Sequence, residues 1–259
     1  MIIQDDTTLR KYIPNTLVTV QGEQTLFEKL QVELQLSEMW LTNLIGSLQG
    51  NAPTQKVLAM DAFLRAVPSL DLVLTPNGFG IVSNNTIAPA SRERIDRLLS
   101  SLEYNRDFAL DNLLRTLLQD ADWRTTQQGQ YWSQTLFQTP MSLPENLRKS
   151  HALAYFQQTH SQLLLIETEL ADKFISEPTY NRLRQDVHGF ALLPLVEMLQ
   201  GIELQLLQGQ PLPYKQLISL VDYIRTHEDD FPEWQTSKTA ELYKSHYFEN
   251  KKSAAGYWW

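Results

Sequence analysis

Apolar residues return at steps of three and four through most of this chain, and that period limits it to a largely helical fold. Leu26, Leu30, Leu34, Leu41 and Ile45, with Phe27 beside them, lay an apolar stripe along a helix expected over 23–45. Thr7 or Thr8 is expected to cap a short helix ahead of it, which stops before Pro14. Pro53 stands where a first helical turn tolerates a missing N–H, and Val57, Met60, Phe63, Leu64 and Val67 follow at helical spacing. Ser91 reads as the N-cap of a helix running to about 119, with Ile95, Leu98, Leu99 and Leu102 and then Leu110, Leu113, Leu114, Leu117 and Leu118 on one face. Asn105 is the point where that helix would be interrupted.

The segment 120–145 is polar, rich in Gln and Thr, and contains Trp123, Tyr131, Trp132 and Phe137 before loop chemistry at Pro140 and Pro144. It reads as a partly helical connection between two halves. Helical periodicity returns over 146–176, 179–187 and 192–207, the last begun by Pro194 and ended near Gly209. Further helices are expected from Pro213 to a stop before Pro232, and over 237–247.

One stretch breaks the helical pattern. Leu70 to Leu74 alternates, Thr75-Pro76-Asn77-Gly78 turns, and Phe79-Gly80-Ile81-Val82 returns. Asn-Gly between two alternating runs marks a hairpin, because both residues tolerate positive φ. The expected fold class is mainly α: a bundle of about eight to ten helices, one β-hairpin at about 70–83, and an extended aromatic C-terminal tail. The parts are a helical region with the hairpin (1–120), a connecting segment (121–145), a second helical region (146–247) and the tail (248–259), all able to close into one compact domain.

Composition removes several classes of function. A chain of this length buries roughly 70–75% of its unfolded surface without help from a disulfide or metal. It has no cysteine, which excludes disulfide scaffolds, thiolate zinc, iron–sulfur clusters and thiol nucleophiles. Lys and Arg number 22 against 30 Asp and Glu, a net charge of −8, which argues against nucleic acid as the main partner. Arg92, Arg94 and Arg97 are interleaved with Glu93 and Asp96, the pattern of a solvated helix face. The opening residues MIIQDDTTLR do not read as a signal peptide. No apolar run approaches the length of a membrane helix, about 20 residues. The chain is therefore expected to be made in the cytoplasm.

The motifs offer no catalyst. Asp229-Asp230-Phe231-Pro232-Glu233 has the letters of an acidic Mg²⁺-diphosphate motif, but Pro232 breaks the helix such ligands need. His151, His160, His188, His227 and His246 stand in no metal-ligand spacing. There is no G-x-S-x-G elbow, and Gly78-Phe79-Gly80 lacks the third glycine of a dinucleotide loop. Paired acids such as Asp5-Asp6, Asp120/Asp122 and Glu167/Glu169 have nothing in sequence to part their pKa values. No catalytic, cofactor-binding or metal residue is nominated, and no enzyme activity or cofactor is expected.

Two features nominate contacts instead. The chain ends Gly256-Tyr257-Trp258-Trp259, and adjacent aromatics of this kind dominate interface hot spots. Either they dock into a neighbouring subunit or partner, or they fold back on their own domain or stay disordered. The hairpin tip, Pro76, Asn77, Gly78 and Phe79, either inserts into a partner or caps its own helical core. These seven residues are the candidate protein-interaction sites.

The run Leu70 to Asn85, leading into Ala88-Pro89-Ala90-Ser91 and a charged helix, resembles a family of structural proteins from tailed phages and prophages. Phe248-Glu249-Asn250-Lys251-Lys252, followed by Gly256 and the aromatics, is similar too. The resemblance implies a virion protein, a head–tail connector or neck ring that joins portal and tail without catalysis. Its implied partners are copies of itself in a ring, the portal and tail or neck proteins, and passing DNA without specific binding, with no membrane. A helical adaptor outside the virion, or another tail- or capsid-associated structural protein, remains the alternative.

Overall fold

The structure, a computed structural model, describes residues 1–13, 24–70, 72–75, 78–81, 91–149, 151–189 and 191–244. Among them the chain is mainly helical, with fourteen α-helices. It forms two compact units, Met1–Ser161 and Gln162–Trp259, and the segment 121–145 falls inside the first.

In the first unit, Asp6–Arg10 (α1) is capped by Asp5 rather than by Thr7 or Thr8. One Asp5 oxygen accepts the Thr8 N–H at 2.8 Å and the other accepts the Thr8 hydroxyl at 2.9 Å. A threonine cap has a single oxygen and cannot hold both donors this way. The helix expected over 23–45 is two helices, Leu26–Lys29 (α2) and Gln31–Ile45 (α3). Thr25 and Glu28 close α2 with a capping box, and Leu30 leaves helical ψ (φ −103°, ψ 7°) as its side chain enters the core. Ala52–Leu70 (α4) runs past Val67 through Pro68.

Leu72–Thr75 (β1) then pairs antiparallel with Gly78–Ile81 (β2), with Leu72 opposite Ile81 and Thr75 opposite Gly78. Arg92–Leu117 (α5) is continuous; Asn105 donates its amide to the Ser101 carbonyl and does not interrupt it. At ~1.5 Å per residue its 26 residues span ~39 Å. Helix α4 packs against both α3 and α5. Its small Ala59, Ala62 and Ala66 are buried there, which lets the neighbouring helices approach closely.

The polar stretch that follows folds as Ala121–Thr125 (α6), Gln127–Ser133 (α7), a 3₁₀ turn at Pro140–Ser142, and Glu145–Arg148 (α8). It completes the core instead of leaving it. Trp132 is fully buried, stacks on Phe156 with centroids 5.0 Å apart, and donates its indole N–H to the Leu44 carbonyl at 2.8 Å. Trp123 donates to the Ile45 carbonyl at 2.9 Å. Both acceptors belong to the last turn of α3, whose carbonyls have no partner within the helix. Gly129 is required between these tryptophans, because a Cβ there would collide with the Trp123 carbonyl and the Arg124 backbone.

Ala152–Leu170 (α9) contributes its first residues to this unit and the rest to the second. It continues into one π-helical turn, Ala171–Ile175, and stops at Ser176, which adopts φ 74°. Glu177–Asp186 (α10), Leu193–Leu207 (α11) and Tyr214–Thr226 (α12) follow, with Gly209 at φ 74° closing α11 as expected. Pro232–Gln235 (α13) and Lys238–Glu241 (α14) dock on the π turn. The Trp234 indole donates to the Phe174 carbonyl at 2.9 Å, the Thr239 hydroxyl to Ala171 at 3.0 Å, and the Tyr243 hydroxyl to Lys173 at 2.7 Å. Three side chains thus reach carbonyls of this turn; Ala171 also accepts the Ser176 N–H at 2.9 Å, while Lys173 and Phe174 lie in the last turn, where a helix leaves carbonyls unpartnered.

The fourteen helices exceed the expected eight to ten because six are only four or five residues long. Helices that short carry no hydrophobic period to read. Of the last helix expected over 237–247, the described residues form Lys238–Glu241 (α14), and residues 245–247 and the aromatic tail lie outside the described residues.

Replacing Trp132 tests the core of the first unit. Trp132→Ala is expected to lower unfolding free energy by ~3–5 kcal/mol. Trp132→Phe, which removes the indole donor but keeps a ring against Phe156, is expected to cost ~1–3 kcal/mol. Urea unfolding followed by circular dichroism measures both.

Candidate functional site

The residues nominated from sequence are only partly placed. Gly78 lies opposite Thr75 and Phe79 opposite Leu74 in the β1–β2 pair. Pro76, Asn77, Tyr257, Trp258 and Trp259 lie outside the described residues.

The structure brings together charged groups that sequence did not nominate. In the first unit, Asp61 of α4 is buried and accepts from Ser37 of α3 at 2.7 Å, Arg65 at 2.6 Å and Arg106 of α5 at 3.3 Å. Arg106 also grips one oxygen of Asp107 through two nitrogens, at 3.0 and 2.7 Å. Its guanidinium lies 5.6 Å from the Trp40 ring centroid, within reach of the ring's negative face. The other Asp107 oxygen accepts the Leu153 N–H at 2.9 Å, at the start of α9. One turn along α5, Asp111 repeats the arrangement with Arg115 at 2.7 Å and the Met141 N–H at 2.8 Å. Burial raises the Asp107 pKa, opposed by Arg106 and the Leu153 N–H. Burial works against the Arg106 charge as well, but Asp107, Asp61 and Glu103 outweigh it and raise its pKa.

The second unit holds a different cluster. Glu167 of α9, Tyr180 and Arg184 of α10, and Glu203 of α11 are all buried. Arg184 places two nitrogens on one Glu167 oxygen, at 2.9 and 2.8 Å, and reaches Glu177 at 2.9 Å. Glu203 accepts from the Tyr180 hydroxyl at 3.2 Å. Burial, and then the neighbouring Glu167 charge, push the Glu203 carboxyl well above the ordinary glutamate range. Burial and Glu203 push the Tyr180 phenol well up too. Two interior carboxyls share one guanidinium here, and the Glu167 charge disfavours a second negative charge on Glu203.

These clusters can bind helices to one another, and their geometry suits that role. Both oxygens of Asp61, Asp107 and Asp111 already have donors. His160 is buried against Tyr131 and Phe156, with centroids 4.3 and 5.3 Å away, and burial lowers its pKa. In the acidic sequence near 230, Glu233 is taken by Arg182 at 3.0 Å, and Pro232 begins α13.

The surface is more suggestive. On α3, Val32, Leu36 and Met39 are 63%, 46% and 65% exposed. With Asn43 they follow one another at steps of four, three and four, the spacing of a helix-packing seam. Their exposed neighbours on the same helix, Gln31, Gln35, Thr42 and Asn43, carry no charge. On α5, exposed Tyr104 and Phe108 stack with centroids 6.5 Å apart. In the second unit, α11 and α12 frame an apolar groove of about 290 Å³. No described helix is long and apolar enough to cross a membrane.

A family model described as a family of unknown function, DUF6712, matches residues 23–132 and 215–243, more than half of the chain. The chain belongs to the DUF6712 family. No curated protein and no solved structure matches it. The DUF6712 match spans α3, α4 and α5 with Asp61, Arg106, Asp107 and Asp111, and also the stretch from α12 into Tyr243.

The clusters escaped the sequence reading because a single acid on an apolar face looks like an interruption of it. The usable signal was position: Glu167 lies between Leu163 and Leu170, and Glu203 follows Leu199 and Ile202, each on the buried stripe of its own helix.

Two outcomes test these assignments. Arg106→Met leaves Asp61 and Asp107 without their shared cation and is expected to cost ~3–5 kcal/mol of unfolding free energy, read from urea midpoints. Glu203 has a raised pKa in the folded state, so its contribution is fully present below the unfolded glutamate value and is lost as pH rises through the folded value. Urea midpoints measured from about pH 5 to pH 9 should fall with pH through this group, and Glu203→Gln should flatten that slope and raise the alkaline midpoint.

Proposed function

We propose that the chain is a structural assembly protein, the head–tail connector or neck component of a tailed-phage or prophage particle, which works through protein–protein surfaces and joins portal to tail. The observation that carries this reading is the outer face of α3. Val32, Leu36 and Met39 are exposed at seam spacing on a helix whose opposite face, Leu34, Leu41 and Ile45, is buried. A helix with apolar residues on both faces, the outer one edged by Gln35, Thr42, Asn43 and the partly buried Glu38, suits a subunit that packs against another chain. The resemblance of 70–91 and 248–259 to phage structural proteins supplies the particle, and a β-hairpin at about 70–83 supplies a second contact. The internal charge clusters agree, since a subunit loaded in a ring needs helices that do not slide. In such a ring, an acidic lumen would repel passing DNA and keep it mobile.

Light scattering after size exclusion tests the reading, with the chain alone and then mixed with portal and tail proteins. A mass many times 29.9 kDa is expected in at least one mixture. Met39→Glu with Val32→Glu should reduce it without altering the circular dichroism. A chain that stays monomeric under every condition overturns the connector reading and leaves the helical adaptor.

A further inference from the structure

We infer that the apolar groove of the second unit is the docking site for a partner protein whose large apolar side chains are flanked by lysine or arginine. Leu192, Pro194 and Leu195 at the start of α11 form one wall, with Met198 one turn on, and Tyr223 of α12 and Phe231 form the other. Met198 and Tyr223 are 50% and 47% exposed at the rim. Among the described residues no charged side chain lines the groove, whose volume is about 290 Å³. A lining of this chemistry has nothing to offer a phosphate, a metal or a polar cofactor. It offers contact area to one or two large apolar side chains, the kind that anchor protein interfaces.

The charges beside the groove select what flanks such an anchor. Acids stand next in sequence to its lining residues: Glu197 before Met198, Asp222 before Tyr223, and Asp229 and Asp230 before Phe231. All four are exposed. Asp222 is paired with Arg225 at 3.2 Å, while Glu197, Asp229 and Asp230 have no ion pair among the described residues. Of the nearby cations, Arg182 lies 5.6 Å from the Phe231 ring centroid and is held by Glu233 at 3.0 Å. Arg225 is held by Asp222, which leaves Lys215 at the start of α12 unpaired among the described residues. The unpaired charge around the groove is therefore mostly negative. A rim of that sign draws in a basic segment and repels an acidic one, and salt weakens both effects. A second copy of this chain, with a net charge of −8, has the wrong sign for the site. The inference goes beyond the connector reading and does not depend on it.

Two end-capped peptides test this at neutral pH, Lys-Lys-Leu-Trp-Lys-Lys and Glu-Glu-Leu-Trp-Glu-Glu. The full chain is labelled with carbon-13 at its methionine methyls and followed by NMR. Met198 lies at the groove, and the other four methionines belong to the first unit. Titration with the basic peptide is expected to move the Met198 signal and to leave that of Met39, on the outer face of α3, in place. Its affinity should exceed that of the acidic peptide at least about tenfold, and should fall as salt is raised from about 20 to about 200 mM. Asp229→Lys with Asp230→Lys, both at exposed positions, should reverse the preference. A Met198 signal that neither peptide moves overturns the inference, as does equal affinity for the two peptides. Acetyl-tryptophan amide binding as tightly as the basic peptide overturns it too, and assigns the groove to a small apolar ligand. Movement at Met39 alone overturns it and assigns the basic segment to the α3 face.

Discussion

Two carboxylates one turn apart on α5 decide how the first unit closes. Asp107 and Asp111 each give one oxygen to an arginine and the other to a backbone N–H of a later segment, Leu153 and Met141. A buried carboxylate cannot remain unpaired, because desolvation costs more than any packing it displaces. The two aspartates therefore fix where the chain must pass after leaving α7, and the polar stretch 121–145 is drawn into the core, with Trp132 and Phe137 filling it. Asp61 ties the same α5 to α4 and, through Ser37, to α3. A single helix thus carries the polar fasteners of its unit on the face that also buries Leu110, Leu113 and Leu114.

The second unit meets the same constraint with a different solution. Its interior ionisable groups include Glu167, Arg184 and Glu203, contributed by three helices, and burial beside the Glu167 charge raises the Glu203 pKa. Around the end of α9 the difficulty is backbone rather than charge. The helix ends in a π turn, and Trp234, Thr239 and Tyr243 return from far along the chain to donate to its carbonyls. Short helices α13 and α14, too brief to be stable alone, exist where those three side chains hold them.

The sequence was legible where burial follows one period. The stripes of α3, α4, α11 and α12, and of α5 from Leu102 onward, lie where the leucines and isoleucines place them, while Leu98 near the start of α5 is exposed. It was less legible where a local bond outranks the period. The break at Leu30 comes from the Thr25–Glu28 box, and the first cap is Asp5 because a carboxylate accepts twice. The site was harder still. Asp61 and Arg106 stand 45 positions apart, and no spacing rule announces a pair of that kind. Surface exposure of Val32, Leu36 and Met39 was equally hidden, because a stripe of apolar residues does not say which of two faces the core will choose.

Trp132 and Trp234 are both fully buried, one in each unit, and each indole N–H is held by a carbonyl at the end of a helix. Each unit therefore contains its own optical probe, in a dry and geometrically fixed environment. Chains that retain only one of these indoles would report separately on the loosening of α3's last turn and of the π turn after α9. The emission of each probe would shift to the red as water reached its ring. Whether the two units melt together or in sequence becomes a question that fluorescence alone can answer.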